Sequence, residues 1–165
     1  MSSTVLMTVS AGDQFRIFSW VVLGFGLGAF VGLEREFRGH VAGIRTTSLV
    51  CGGAAMFAQA GSLFGDSRIA AGVVQGVGFL GVGLIFHTRR GDTKGVTTAA
   101  TMWAVAAIGL LVGFELWLAA ILVASVVVVL LELAPVSDWV LMHGRARREL
   151  TSPEERPVDK TLPRG

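Results

Sequence analysis

The sequence predicts an all-α polytopic membrane protein with five transmembrane helices, and three observations predict it. The chain of 165 residues is 52% hydrophobic and only 16% charged, below the roughly 25% charged content of a soluble domain. Its charges lie in clumps between uncharged runs close to the ~20 residues a helix needs to cross a hydrocarbon core about 30 Å thick. Basic clumps also alternate along the chain with connections that hold no excess base. Short loops rich in Lys and Arg face the cytoplasm. The alternation therefore places the N-terminus outside and the C-terminus in the cytoplasm.

The first span, 17–33, reads "IFSWVVLGFGLGAFVGL". No basic n-region precedes it and no small-residue cleavage site ends it, which sets it apart from a signal peptide. Gly24, Gly28 and Gly32 recur at i, i+4 and i+8 on one side of this helix. Lipid tails give helices no hydrophobic reason to associate, so such small-residue faces serve close packing. The span runs into Glu34, Arg35, Glu36 and Arg38, with Arg45 beyond, a cluster that fits a cytoplasmic turn. Glu34 and Arg38 stand at i and i+4 and can pair, while the long Arg stems can snorkel to headgroups.

The second span, 46–65, holds Gln59 and the single Cys51, which leaves no intramolecular disulfide to form. Only Arg68, opposed by Asp66, follows it. The third span, 69–86, repeats the glycine spacing at Gly72 and Gly76, followed by Gly81 and Gly83, and carries Gln75. Its "GVGFLG" matches a dinucleotide fingerprint but lies mid-span, without the strand, helix start and distant acid that reading needs. Arg89, Arg90 and Lys94 form the next basic turn before the fourth span, 95–114, with Thr97, Thr98 and Thr101. Glu115 precedes the fifth span, 116–131. The first and third helices are expected at the centre, with the Val- and Leu-rich fifth facing lipid. Gln59, Gln75 and the three Thr are expected to point inward and bond across helices.

Together these elements make a transmembrane domain over 1–134. Residues 135–150 read as an amphipathic juxtamembrane segment with Trp139 as an anchor, and 151–165, with three prolines, as a disordered tail.

Sliding the chain so that Gly24 falls on Gly76 also places Gly26 on Gly78 and "RGHVAGIRT" on "RGDTKGVTT". A parallel repeat of two helical hairpins fits this self-match. Both copies end where a helix starts after a glycine, with Thr as the expected cap. Arg38, Arg45, Arg90 and Lys94 surround these helix starts, where exposed amides favour an anion. Lipid headgroups satisfy the same bases.

The function classes narrow accordingly. His40, His87 and His143 are scattered, Cys51 is alone, and neither a metal-ligand spacing nor a nucleophile-and-base pair can be read. The expectation is a protein that is not an enzyme and that holds no metal and no cofactor. A net charge of +2 sits in short loops, which excludes a nucleic-acid surface. No acid or base occupies the middle of a span, against the usual pattern of cation carriers. A small transporter or channel for an ion or small solute, built on Gln59, Gln75 and the Thr cluster, is the alternative to a protein acting by helix contact. The glycine faces suit a homo-oligomer as well as a foreign membrane partner.

Three segments carry a resemblance: "GLEREFRGHVAGIRTTSLVC" at 32–51, "SRIAAGVVQGVGFLGVGLIF" at 67–86 and "GVTTAATMWAVAAIGLLVG" at 95–113. In them the chain resembles the MgtC/SapB family of bacterial inner-membrane proteins. Glu34, Arg35, Glu36, Arg38, Gly43, Arg45 and Thr46 match the first family signature. Gly78, Phe79, Leu80, Gly81 and Gly83 match the second, and Thr97, Thr98, Ala99, Ala100, Thr101 and Trp103 the third. Gln75 stands where many relatives have a small Ser. The resemblance implies a multi-pass protein of the inner membrane, a role in adapting to low magnesium, and survival of pathogens inside phagocytes. It also implies restraint of ATP synthase as a membrane partner. Some family members carry a C-terminal soluble domain that this tail is too short to form.

Overall fold

The computed structural model describes residues 9–85 and 95–133. Five helices fill these segments: α1 (Ala11–Phe37), α2 (Ile44–Phe64), α3 (Arg68–Ile85), α4 (Val96–Gly113) and α5 (Trp117–Glu132). No strand occurs among the described residues. The first four helices are each long and apolar enough to cross a membrane, and α5 is a shorter apolar helix of 16 residues. At a rise of 1.5 Å per residue α5 extends roughly 24 Å, so it needs thinned lipid or flanking anchors to span. The bundle belongs to a compact unit, Met1–Leu131; of a second unit, Glu132–Gly165, only Glu132 and Leu133 are described. The expected juxtamembrane segment at 135–150 and the tail at 151–165 lie outside the described residues.

Local chemistry sets the helix ends. Ser10 Oγ accepts from the Asp13 amide at 3.1 Å while Asp13 Oδ2 accepts from the Ser10 amide at 3.2 Å. This reciprocal cap satisfies two orphan donors and starts α1 well before the predicted 17. At the other end of α1, Gly39 takes φ 69 and lets the chain fold back. Its amide donates to the Glu36 carbonyl at 3.0 Å, and the His40 amide to the Arg35 carbonyl at 3.0 Å. Before α4, Gly95 at φ 102 lies against the Leu84 carbonyl, whose oxygen would be 2.9 Å from an added Cβ.

Packing centres on α2. Gly24, Gly28 and Gly32 of α1 all meet it: a Cβ at Gly28 would lie 2.5 Å from the Thr47 carbonyl and 2.7 Å from Cys51 Cβ. From α4, Gly109 and Gly113 approach Cys51, Ala54, Ala55 and Ala58 of the same helix. The shared core joins Val31, Cys51, Ala55, Val105, Ile108 and Val112 with Ala120 and Ala124 of α5. Those two alanines are the buried residues of α5, while Leu118, Leu122, Val126 and Val129 point outward.

The expectation that the first and third helices are central is corrected here. The centre belongs to α2 and α4, and on α3 only Val77 and Gly81 are buried. The reason lies in the register of the repeat. The shift that puts Gly24 on Gly76 puts Gly28 on Leu80 and Gly32 on Leu84. Bulky side chains thus interrupt on α3 the ridge that brings α1 onto α2.

These contacts give a stability test. Gly28→Ala forces α1 away from the α2 backbone and is expected to lower stability by about 1–3 kcal/mol. Gly26→Ala, with no atom within 4 Å of its added Cβ, is expected to be neutral or slightly stabilising. Thermal unfolding of both variants in one detergent checks the difference.

Candidate functional site

Helix α1 continues past Leu33 to Phe37, so Glu34, Arg35 and Glu36 occupy its last turn and point in different directions. Arg35 lies four residues after Val31 and three after Gly32, and so extends their buried stripe. It is 1% exposed, and its Nη2 donates to Thr98 Oγ1 in the first turn of α4 at 2.5 Å. Arg35 Nε has no hydrogen-bond partner. The snorkelling expected of this side chain is therefore corrected: Arg35 points into the bundle and ties α1 to α4. Glu34 is also buried; its Oε1 accepts from Arg38 Nε at 2.7 Å, and its Oε2 has no partner.

Glu36 does something the sequence reading missed. Its Oε2 accepts from the Ile44 amide at 2.9 Å, so the end of α1 caps the start of α2. Gly43 leaves room for that approach: a Cβ there would lie 2.6 Å from Glu36 Oε2 and would push the carboxylate off this bond. Two expectations are corrected by this geometry. The helix caps are Gly43 and Gly95, neither with a side-chain cap bond, rather than Thr. Thr47 Oγ1 instead donates to the Gly43 carbonyl and Thr101 Oγ1 to the Thr97 carbonyl. The α2 N-terminus, proposed for an anion, already holds the chain's own carboxylate. Arg45 and Thr46 are exposed beside it, and Arg90 and Lys94 lie outside the described residues.

The intramembrane polar residues divide. Gln59, Thr98 and Thr101 are buried, whereas Gln75 and Thr97 are exposed. The inward placement expected of the last two is corrected: α3 is peripheral, and Thr97 sits one position off the inner face of α4. The glycines divide as well. Gly24, Gly28 and Gly32 are packed, and a Cβ at Gly81 would lie 3.5 Å from that of Ala99. Gly72 and Gly76 have no atom within 4 Å of an added Cβ, so the helix packing assigned to them does not occur within the described bundle. With Gly53, Val50 and Leu80 they line an apolar groove of about 610 Å³ between α2 and α3. Among the described residues no group of three His, Cys, Asp or Glu could hold a metal ion. The packing pair Gly109 and Gly113 was missed, although its i, i+4 spacing was there to be read.

A model of the MgtC family matches residues 3–138. The chain belongs to the MgtC family. It is 50% identical over 93 residues to the Protein MgtC of Brucella abortus, covering 54% of this chain and 39% of that relative. To the Protein MgtC of Salmonella typhimurium strain LT2 it is 46% identical over 90 residues, 53% of this chain and 38% of the relative. An uncharacterised protein of Haemophilus influenzae is 32% identical over 161 residues, 89% of this chain and 68% of its own length. The chain thus matches about two-fifths of the length of the MgtC proteins. No solved structure matches it. Family membership and the apolar helices make this a multi-pass membrane protein.

Two predictions follow from the turn. Thr98→Val leaves the buried guanidinium without its hydroxyl partner and is expected to cost about 1.5–3 kcal/mol. In an Arg35→Met background the same change is expected to be nearly neutral, and unfolding titrations of the four proteins measure that coupling. His40, in the turn, is held below its ordinary 6.5 by desolvation first and then by the Arg35 charge. The unfolded chain therefore takes up the proton at higher pH than the folded one, and stability falls as pH drops through 6.5. His40→Gln is expected to flatten that segment of the stability–pH profile.

Proposed function

We propose that this chain is a non-enzymatic regulator of the bacterial inner membrane that acts by helix–helix contact with another membrane complex. The observation that carries this reading is the open face of α3. Gly72 and Gly76 pack against nothing in the described bundle and border an apolar groove wide enough to admit side chains of a foreign helix. Small residues that let backbones approach closely are what membrane helices use to associate. In this proposal the complex is ATP synthase and the setting is adaptation to low magnesium and survival inside phagocytes, as the resemblance to the MgtC/SapB family implies. In this reading the charged turn of Glu34 to Arg45 faces the cytoplasm, as the basic residues of short loops do.

The test is co-purification from native membranes under mild detergent. ATP synthase subunits are expected to accompany the unaltered chain and the Gly26→Leu variant, which changes another exposed glycine. Gly76→Leu, which fills the groove without touching the packed interior, is expected to lose them about tenfold. Ion or solute flux through liposomes holding only this chain would replace the contact reading by a channel.

A further inference from the structure

The end of the bundle far from the charged turn carries a second feature, separate from the α2–α3 groove. A cavity of about 360 Å³ is formed there by the start of α1, the end of α2 and the turn before α5. Arg16 stands between two carboxylates in it, with Nη2 4.0 Å from Asp13 Oδ1 and Nη1 3.7 Å from Glu115 Oε1. Both contacts are long and their side chains are 40–59% exposed, so Arg16, Glu115 and the Asp13 Oδ1 that Ser10 does not engage remain open to a ligand. Two acids and one base leave the cavity net negative.

Gln59 forms its inner wall. This side chain is 7% exposed, and its Nε2 has no hydrogen-bond partner. A buried donor left unmade is destabilising, so the cavity lacks an acceptor at this depth. Gln59 also lines a second cavity of about 360 Å³, which is apolar and bordered by Phe18, Val21, Met56 and Ala60. Ile17 and Leu63 belong to both cavities as well. The unpaired amide therefore sits on the seam between a charged chamber and an apolar one.

A ligand that fits needs a charged head, acceptor oxygens at its neck and an apolar chain. The charge of the chamber then selects among heads. A net-negative site disfavours an anionic head, while Asp13 and Glu115 suit an ammonium and Arg16 and Gln59 suit phosphate oxygens. We propose that this seam binds a zwitterionic aminophospholipid. Its ammonium faces Asp13 and Glu115, its phosphate oxygens accept from Arg16 and Gln59 Nε2, and one acyl chain lies along α1 and α2 in the apolar chamber.

The full chain, purified from equimolar phosphatidylethanolamine and phosphatidylglycerol nanodiscs, can be assayed by native mass spectrometry for retained lipid. Phosphatidylethanolamine is expected to be kept about tenfold over phosphatidylglycerol, and Gln59→Leu to reduce that retention about tenfold. Combining Asp13→Asn with Glu115→Gln, both at exposed positions, is expected to erase the preference between the two lipids and keeps the test sound if the Gln59 variant does not fold. Excess soluble phosphoethanolamine is expected to leave the bound lipid in place, because it has no chain for the apolar chamber. Equal retention of the two lipids by the unaltered chain overturns the proposal. So does unchanged retention in folded Gln59→Leu or an unchanged preference between the two lipids in the double variant, and displacement by soluble phosphoethanolamine reassigns the site to a free phosphoamine.

Discussion

Lipid tails are as apolar as leucine, so α2 is held in this bundle by backbones brought to van der Waals range. Gly24, Gly28 and Gly32 approach it from α1, and Gly109 and Gly113 from α4. The receiving surface is equally small: Cys51, Ala54, Ala55 and Ala58 are all buried. That closeness fixes more than the core. Gly32 lies against Ile44 at the start of α2, where an added Cβ would be 2.6 Å from its Cα. The last turn of α1 is thereby set beside the first turn of α2, within reach of the Glu36 carboxylate. Without the glycine contact, the carboxylate cap at Ile44 has no geometry to exist in.

The same packing accounts for a buried cation. Arg35 continues the face of α1 that carries Gly28, Val31 and Gly32, so wherever that face goes the guanidinium goes with it. Burying a charge is expensive, and one bond to Thr98 does not offset it fully. A contact of this kind contributes less to net stability than to which arrangement forms: any rotation of α4 that withdraws Thr98 leaves the guanidinium unsatisfied. The clamp also joins the first hairpin to the second by a directional bond. Its location at a helix start in α4 and the last turn of α1 keeps it near the polar edge of the bundle. There desolvation is less severe than at mid-depth.

Helix number and extent were legible because uncharged runs between charge clumps are a strong signal at this length. Helices α2 to α5 match the predicted runs to within two residues at each end, whereas α1 extends well past its run at both ends. Those extensions depended on a Ser10–Asp13 cap and on the helical phase of Glu34 to Phe37, which hydropathy does not register. The role of α3 was misread because glycine spacing alone does not say whether a ridge is continuous. Leu80 and Leu84, in the places of Gly28 and Gly32, decide that. The turn was legible as charged but not as folded. The i, i+4 spacing made the Glu34–Arg38 pair readable, but composition cannot tell that Arg35 points inward or that Glu36 reaches forward to Ile44. Phase relative to the packed face decides both.

Glycine inside a helix carries a penalty of about 0.5–1 kcal/mol relative to alanine, and it is normally offset by a contact that only a missing side chain permits. On α1 the offset is visible at each of the three ridge positions. On α3 it is not: among the described residues nothing lies within 4 Å of a Cβ added at Gly72, Gly76, Gly78 or Gly83. Their neighbours Val74, Phe79, Leu80 and Val82 are exposed apolar side chains, so the helix is suited to lipid without needing any glycine at all. Alanine at those positions would satisfy the bilayer equally and stabilise the helix more. The excess glycine on α3 therefore has no packing explanation among the described residues of this bundle, and it is this unoffset cost that the proposed helix contact would account for.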